Sequence, residues 1–306
     1  MSVLDRVRVV VPASTSNLGP GFDCLGMALR LCNELVLEKL SEKGPPAVEI
    51  EGEGSGSLPR DASNLMVRAA KTVIDDRFKN RLVFKARNRI PLARGLGSSA
   101  AAVVAGLCAA NRLLRPAPLS REQIFEYAVA LEGHPDNAAP AVFGGVTLSV
   151  RDHKGVRNFA LKPHPDLAAV VCIPDFELAT AQARAVLPAT VLREDAVENV
   201  SRAMLLASAL ERGRWQDLAA AMGDRLHQPY RAALIPGFKD VLKAALAYGA
   251  CGAALSGSGP AMLALCRKGP RAAALGEAMR RAFRAHGVLS RALVLPIARR
   301  GVRVWG

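Results

Sequence analysis

Short apolar runs alternating in twos and longer runs with helical spacing take turns along the first half of the chain. Residues 7–12 (VRVVVP), 33–40 (NELVLEKL), 47–52 (AVEIEG) and 81–88 (RLVFKARN) carry strand character. Between the last two, SNLMVRAAKTVIDD predicts a helix capped by Ser63 and running to Asp76. A helix is expected after Gly97, a second over about 120–132, and a strand at GGVTLSV. The looser text over 158–166 suggests a lobe boundary, dividing the chain into residues 1–163 and 164–306. Beyond it the pattern predicts a strand at LAAVVCIP, helices near 179–187, 193–212, 236–248 and 270–286, and final strands at RALVLPI and VRVW. Strands and helices interleave without the regular beat of a doubly wound sheet, so the expected class is α+β with two lobes. No internal repeat or low-complexity tract interrupts the pattern.

Composition narrows the function classes. At 306 residues, half of them hydrophobic and 22% charged, the chain can bury a real core. The 41 basic against 27 acidic residues leave +14, which suits an anionic ligand without selecting one. The basic residues are scattered arginines, and Phe, Trp and Tyr make only 5%, so a nucleic-acid partner is not expected. The six cysteines form no C-x-x-C pair and several sit in apolar runs, as buried thiols of a reducing compartment do. The first residues read as a strand and no apolar run approaches about 18 residues, so neither a signal peptide nor a membrane partner is expected. The default is a cytoplasmic enzyme or binding protein.

The densest chemical signal is PLARGLGSSAAAVVAGLCAAN, residues 91–111. The first amides of a helix lack partners and carry about half a positive charge, so a phosphate fits there if no side chain blocks it. Gly95 and Gly97 supply bare backbone, and Ser98 or Ser99 a hydroxyl for capping, phosphate or metal. An ordinary connection with a good helix cap fits the same residues. The turn lacks the lysine of a Walker A loop and the G-x-G-x-x-G of a dinucleotide fold.

PLARGLGSSAA resembles the P-x-x-x-G-L-G-S-S-A signature of the GHMP kinases. Two further stretches resemble that superfamily's motifs in the expected order, VPASTSNLGPGFDCLGMAL at 11–29 and LSGSGPAMLAL at 255–265. STSNLGPGFDCLG, LEGHPDNAAPAVFGG, TAQARAVLP and HQPYRAALIPGF are similar to the homoserine kinase branch in particular. The resemblance implies a ribosomal-protein-like α/β lobe followed by a ferredoxin-like α+β lobe. It implies ATP and Mg2+ and phosphorylation of the L-homoserine hydroxyl on the route to threonine; dimers are common in such families, so a homodimer is compatible with it, while the sequence leaves the oligomeric state open.

By the same resemblance, ATP lies along Pro91, Leu92, Ala93, Arg94, Gly95, Leu96, Gly97, Ser98, Ser99, Ala100 and Ala101. Ser256, Gly257, Ser258 and Gly259 form a second turn supporting that loop. Arg94 has two readings, reaching a phosphate or pointing to solvent. Homoserine is a zwitterion with a hydroxyl, so its site needs an anion, a cation and neutral polar groups. Asp23 matches the anion, Arg184 and Arg231 the carboxylate-binding forks, and Asn17, His134, Asn137 and Thr180 the remaining contacts. Without the resemblance, Asn17 and Asp23 also fit a tight Asx turn, His134 a loop histidine, and the arginines a solvated surface. Glu126, with Ser98 or Ser99, matches the metal carboxylate, and Glu132 is its rival. Asp136 is the only general-base candidate in its segment and also fits a brace for the loop, with Asn137 holding a hydroxyl that attacks directly.

Overall fold

The structure, a computed structural model, describes residues 5–74, 80–115, 117–153 and 155–306. In chain order the strands are β1 (Arg6–Asn17), β2 (Gly21–Lys43), β3 (Ala47–Gly52), β4 (Asn80–Asn88), β5 (Val146–Asp152), β6 (Gly155–Leu161), β7 (Leu167–Pro174), β8 (Gly252–Leu255), β9 (Met262–Arg267), β10 (Ser290–Pro296) and β11 (Arg303–Trp305). The helices are α1 (Leu65–Lys71), α2 (Ser98–Leu114), α3 (Arg121–Glu132), α4 (Pro135–Phe143), α5 (Thr180–Ala185), α6 (Arg193–Arg212), α7 (Leu218–Ala221), α8 (Gln228–Arg231), α9 (Phe238–Ala247) and α10 (Arg271–Ala285). One sheet runs β11-β1-β2-β4-β3, with β5 on β2 and β6 on β5; the other runs β10-β7-β9-β8. Among the described strand pairs only β3–β4 is parallel. The fold is therefore α+β with two sheets. The second sheet takes only strands after residue 163, whereas the last strand, β11, returns to the edge of the first beside β1.

Local sequence explains most of these elements. LAAVVCIP is buried at every position because β7 lies inside its sheet, covered on both faces. In α10, Ala272, Leu275, Met279 and Phe283 form one stripe that packs with Val170 and Val241 in the second core. The small residues of α2 let it pass close under its neighbours: a side chain at Gly106 would meet the Met66 carbonyl at 2.2 Å. That contact ties α2, the helix of the glycine-serine turn, to α1.

Three expectations need correction. The helix expected from Ser63 to Asp76 begins at Leu65, where Asn64 caps the amide of Met66, and ends at Lys71. Ser63 instead turns back to the Asp61 carboxylate, and Asp75 and Asp76 lie outside the described residues. β2 reaches 23 residues because its polar positions face solvent on one side while Leu25, Met27, Leu29, Leu35 and Leu37 stay buried. The stretch PDNAAPAVF forms α4, a helix that its two prolines concealed. Pro135 stands at its first turn, where no amide bond is lost, and Pro140 leaves the Asp136 carbonyl facing Gly26 of β2.

Candidate active site

The turn before α2 is built from left-handed backbone. Ala93, Gly95 and Gly97 have φ of 49°, 71° and 67°. Gly97 is the N-cap of α2 and no side chain caps that end, so the first amides of a 17-residue helix stay open to a ligand. A cavity of about 320 Å³ lies over them, lined by Pro91, Ala93, Arg94, Gly95, Leu96, Gly97, Ser98 and Ser99 from the turn. Leu65 and Arg68 of α1, Leu131, Glu132, His134 and Asn137, and Thr180, Gly257 and Ser258 complete the wall. Leu92 faces a neighbouring cavity, and Ala100 and Ala101 are buried beneath the turn as packing residues.

The second glycine turn grips the first. Ser256 Oγ donates to the Gly95 carbonyl at 2.7 Å and lies 2.8 Å from Thr15 Oγ1. The Gly257 amide donates to the Ser16 carbonyl at 3.1 Å, and the Ala261 amide to that of Arg94 at 3.3 Å. Arg94 lines the cavity, and its side chain is held by other groups of the protein. Its guanidinium donates to the carbonyls of Leu92, Pro174 and Asp175 and pairs with Glu177 at 3.2 Å, pinning the turn to the end of β7.

Of the two candidate carboxylates on α3, only Glu132 reaches the cavity. Ser99 Oγ donates to Glu132 Oε1 at 2.6 Å, and burial pushes the Glu132 carboxyl above its usual range against the pull of Ser99 and His134. Glu126, the expected metal carboxylate, is exposed on another face of the helix, away from the cavity wall. Its six-residue offset from Glu132 turns it about 120° around the axis.

His134 Nδ1 lies 2.6 Å from Oδ1 of the buried Asp136, which also accepts from Asn137 Nδ2 at 3.3 Å. Burial disfavours the imidazolium, yet the Asp136 hydrogen bond and charge outweigh it, so the His134 pKa is raised. Asn137 is fixed from both ends: Ser14 Oγ donates to its Oδ1 at 2.8 Å and its Nδ2 donates to Ser16 Oγ at 3.0 Å.

The expected acceptor residues gather beside this wall. Asp23, in a left-handed conformation (φ 56°), pairs with Arg184 through two bonds of 2.8 and 3.1 Å. Arg231 is the largest fully buried side chain; its Nε donates to the Ala183 carbonyl and its Nη1 approaches the Gly257 carbonyl and His227. Both guanidiniums lie over the Phe22 ring, at 5.8 and 5.3 Å from its centre. Thr180 Oγ1 stands 3.4 Å from Ser258 Oγ at the cavity edge. Asn17 links two segments: its side-chain amide donates to the Gly257 carbonyl and accepts from the Asp23 amide, so it joins the second turn to the start of β2. Sequence reasoning passed over Phe22, Ser14, Ser16 and His227, although each lies inside or within a few residues of a quoted motif.

This geometry has relatives. The family described as GHMP kinases N terminal domain matches residues 64–145, and GHMP kinases C terminal matches residues 206–285. The chain is 47% identical to a homoserine kinase of Moorella thermoacetica over 92% of this chain and 93% of that one. It is 45% identical to a homoserine kinase of Synechococcus sp. over 98% of each. Its fold superposes with a TM-score of 0.90 on the crystal structure of homoserine kinase from Cytophaga hutchinsonii, at 32% identity, covering 100% of this chain and 99% of the other. With this likeness running over nearly the whole length of each partner, the chain belongs to the homoserine kinase family of the GHMP kinases.

Proposed function

We propose that this chain transfers the γ-phosphoryl group of ATP to the side-chain hydroxyl of L-homoserine, giving ADP and O-phospho-L-homoserine on the route to threonine. The observation that carries the reading is an open, glycine-walled helix N-terminus with an Asp23–Arg184 pair beside its cavity, Arg184 standing one turn of α5 beyond the wall residue Thr180. A phosphate chain fits the first, and a zwitterion can exchange its own two charges with the second. In that reading the ammonium goes to Asp23 and the carboxylate to Arg184 and Arg231, whose forks suit it better than lysine would. Residues 1–163, rejoined by β11, form the ATP-binding lobe, and 164–306 supply the second glycine turn and both arginines. The reaction suits a cytoplasmic enzyme; no helix among the described residues is long and apolar enough to cross a membrane.

Phosphoryl transfer needs positioning and charge neutralisation more than covalent help. Asn137, immobilised by Ser14 and Ser16, orients the acceptor hydroxyl, and the open amides of α2 neutralise the phosphate oxygens. Asp136 is engaged by His134 and Asn137, so it braces this wall while the hydroxyl attacks the γ-phosphorus directly, the bond to ADP breaks and the hydroxyl proton passes to a phosphoryl oxygen. The hard oxygen donors at the cavity fit Mg2+, which takes one or two protein ligands beside phosphates and water. Glu132 with Ser98 and Ser99 would hold it, and it would spread the charge of the transferring phosphoryl group. The test is Mg2+-dependent ADP release with L-homoserine beside mevalonate, shikimate, galactose and L-serine. Turnover on homoserine well above the others is expected; turnover on another acceptor, or on none, overturns the reading.

A further inference from the structure

One fully buried histidine joins the two charged halves of the acceptor site, and its protonation pattern follows from what it faces. His227 has no exposed surface. Its Nε2 lies 2.8 Å from the Gly19 carbonyl, which can only accept, so Nε2 carries the hydrogen. Its Nδ1 lies 3.1 Å from Arg231 Nη1, which can only donate, so Nδ1 offers its lone pair. The ring is therefore neutral with one fixed tautomer. Burial and the Arg231 charge hold its pKa below the ordinary histidine value; Asp224 and Asp23 pull the other way. Asp224 is itself occupied, accepting from the backbone amides of Leu226, His227 and Gln228 and so fixing the start of α8. Phe22 stacks on the imidazole at 5.2 Å and 22°, and the same ring lies under both arginines.

The Gly19 carbonyl belongs to the turn that leads into Phe22 and Asp23 at the start of β2, whereas Arg231 belongs to α8. These segments lie about two hundred residues apart in the chain, 208 between Gly19 and His227. The geometry points to His227 as the positioning residue that sets the distance between Asp23 and Arg231, and so the site's fit to a compact amino acid. A guanidinium with only carbonyl partners could tilt within its cleft. A neutral imidazole on Nη1 removes that freedom without cancelling its charge, which stays available for a carboxylate. A second carboxylate at the same place would have neutralised the arginine and competed with the substrate. This inference rests on Arg231 receiving the acceptor carboxylate.

The experiment measures steady-state kinetics for His227→Phe, which keeps the flat ring and removes both hydrogen bonds, and for His227→Gln, whose amide can restore the bond to Gly19. Losing one bond to a charged group predicts a rise in the homoserine KM of roughly ten- to hundredfold for the phenylalanine variant. The ATP KM should stay within about twofold, and the glutamine variant should recover part of the loss. With 3-amino-1-propanol, which lacks the carboxylate, wild type and His227→Phe should perform alike. Arg231→Met separates the inference from the reading beneath it. An unchanged homoserine KM in Arg231→Met removes the carboxylate assignment itself. A raised KM there with an unchanged one in His227→Phe overturns the role of His227 alone. Equal losses for homoserine, ATP and the amino alcohol, or failure of both His227 variants to bind ATP, would make His227 a packing residue and also overturn it.

Discussion

Replacing Gly97 by alanine tests whether the phosphate turn and the Asn137 clamp are one mechanical unit. The new methyl would stand 2.0 Å from Ser14 Oγ and 3.0 Å from Asn137 Oδ1. Those two atoms hold each other in a 2.8 Å hydrogen bond, so Ser14 must swing away and release Asn137. Gly97 also sits at φ 67° and ψ 29°, where an L side chain costs about 1–2 kcal/mol. The lost hydrogen bond adds about 0.5–1.5 kcal/mol. A total of roughly 2–3 kcal/mol lowers the melting midpoint of a 306-residue chain by about 3–5 °C. The methyl also crowds the first amides of α2, so the ATP KM should rise and kcat should fall through the loosened Asn137. Scanning calorimetry and ADP-release kinetics read both effects. The decisive comparison is the double variant with Ser14→Ala, which deletes the crowded hydroxyl while keeping the backbone strain. The two losses should then sum to at least about 0.5 kcal/mol more than the double variant shows. Additive losses, or Gly97→Ala with wild-type midpoint and ATP KM, would refute the mechanical coupling.

The two carboxylates of α3 separate cleanly. Glu132→Gln should lower kcat on the order of a hundredfold and raise the Mg2+ requirement, whereas the exposed Glu126→Gln should stay within about twofold of wild type in the same titration. The His134–Asp136 pair makes stability depend on pH: His134 binds its proton more tightly folded than unfolded, so the pair's contribution is complete below the ordinary value of about 6.5 and is lost as pH rises through the raised folded value. Asp136→Asn should flatten that part of the melting-midpoint profile, and an unchanged slope would show that the pair does not supply it.

How much of this was readable before the structure depends on the distance over which each feature is decided. The left-handed Gly95 and Gly97 and the bare start of α2 are local properties of GLGSSAA, and the turn is where the sequence placed it. LAAVVCIP and residues 193–212 likewise keep the bounds their patterns predicted, because a continuous apolar run and a long helical stripe are local too. Which of Glu126 and Glu132 reaches the cavity was also decided locally, and the periodicity carried that difference. Ile124, Phe125, Ala128 and Val129 set the inward face of α3; Glu132 follows Phe125 by seven residues and Ala128 by four, so it continues that face. Glu126 shares its face with Glu122 and Ala130, both exposed.

Arg94, Asn17 and His227 belong to another category. Arg94 spends its guanidinium on carbonyls some 80 residues away, Asn17 reaches Gly257 across 240 residues, and His227 reaches Gly19 across 208. Their motif neighbours mark them as belonging near a ligand. Whether a polar side chain touches that ligand or holds the residue that does is decided by which carbonyl the other lobe leaves unpaired. Buried carbonyls and amides must find partners, so the side chains nearest a lobe junction are consumed in joining it. In the function proposed above, ligand contact falls to groups with capacity left over: the open amides of α2, the carboxylate of Glu132, and the paired charges of Asp23 and Arg184, which a zwitterion can replace one for one.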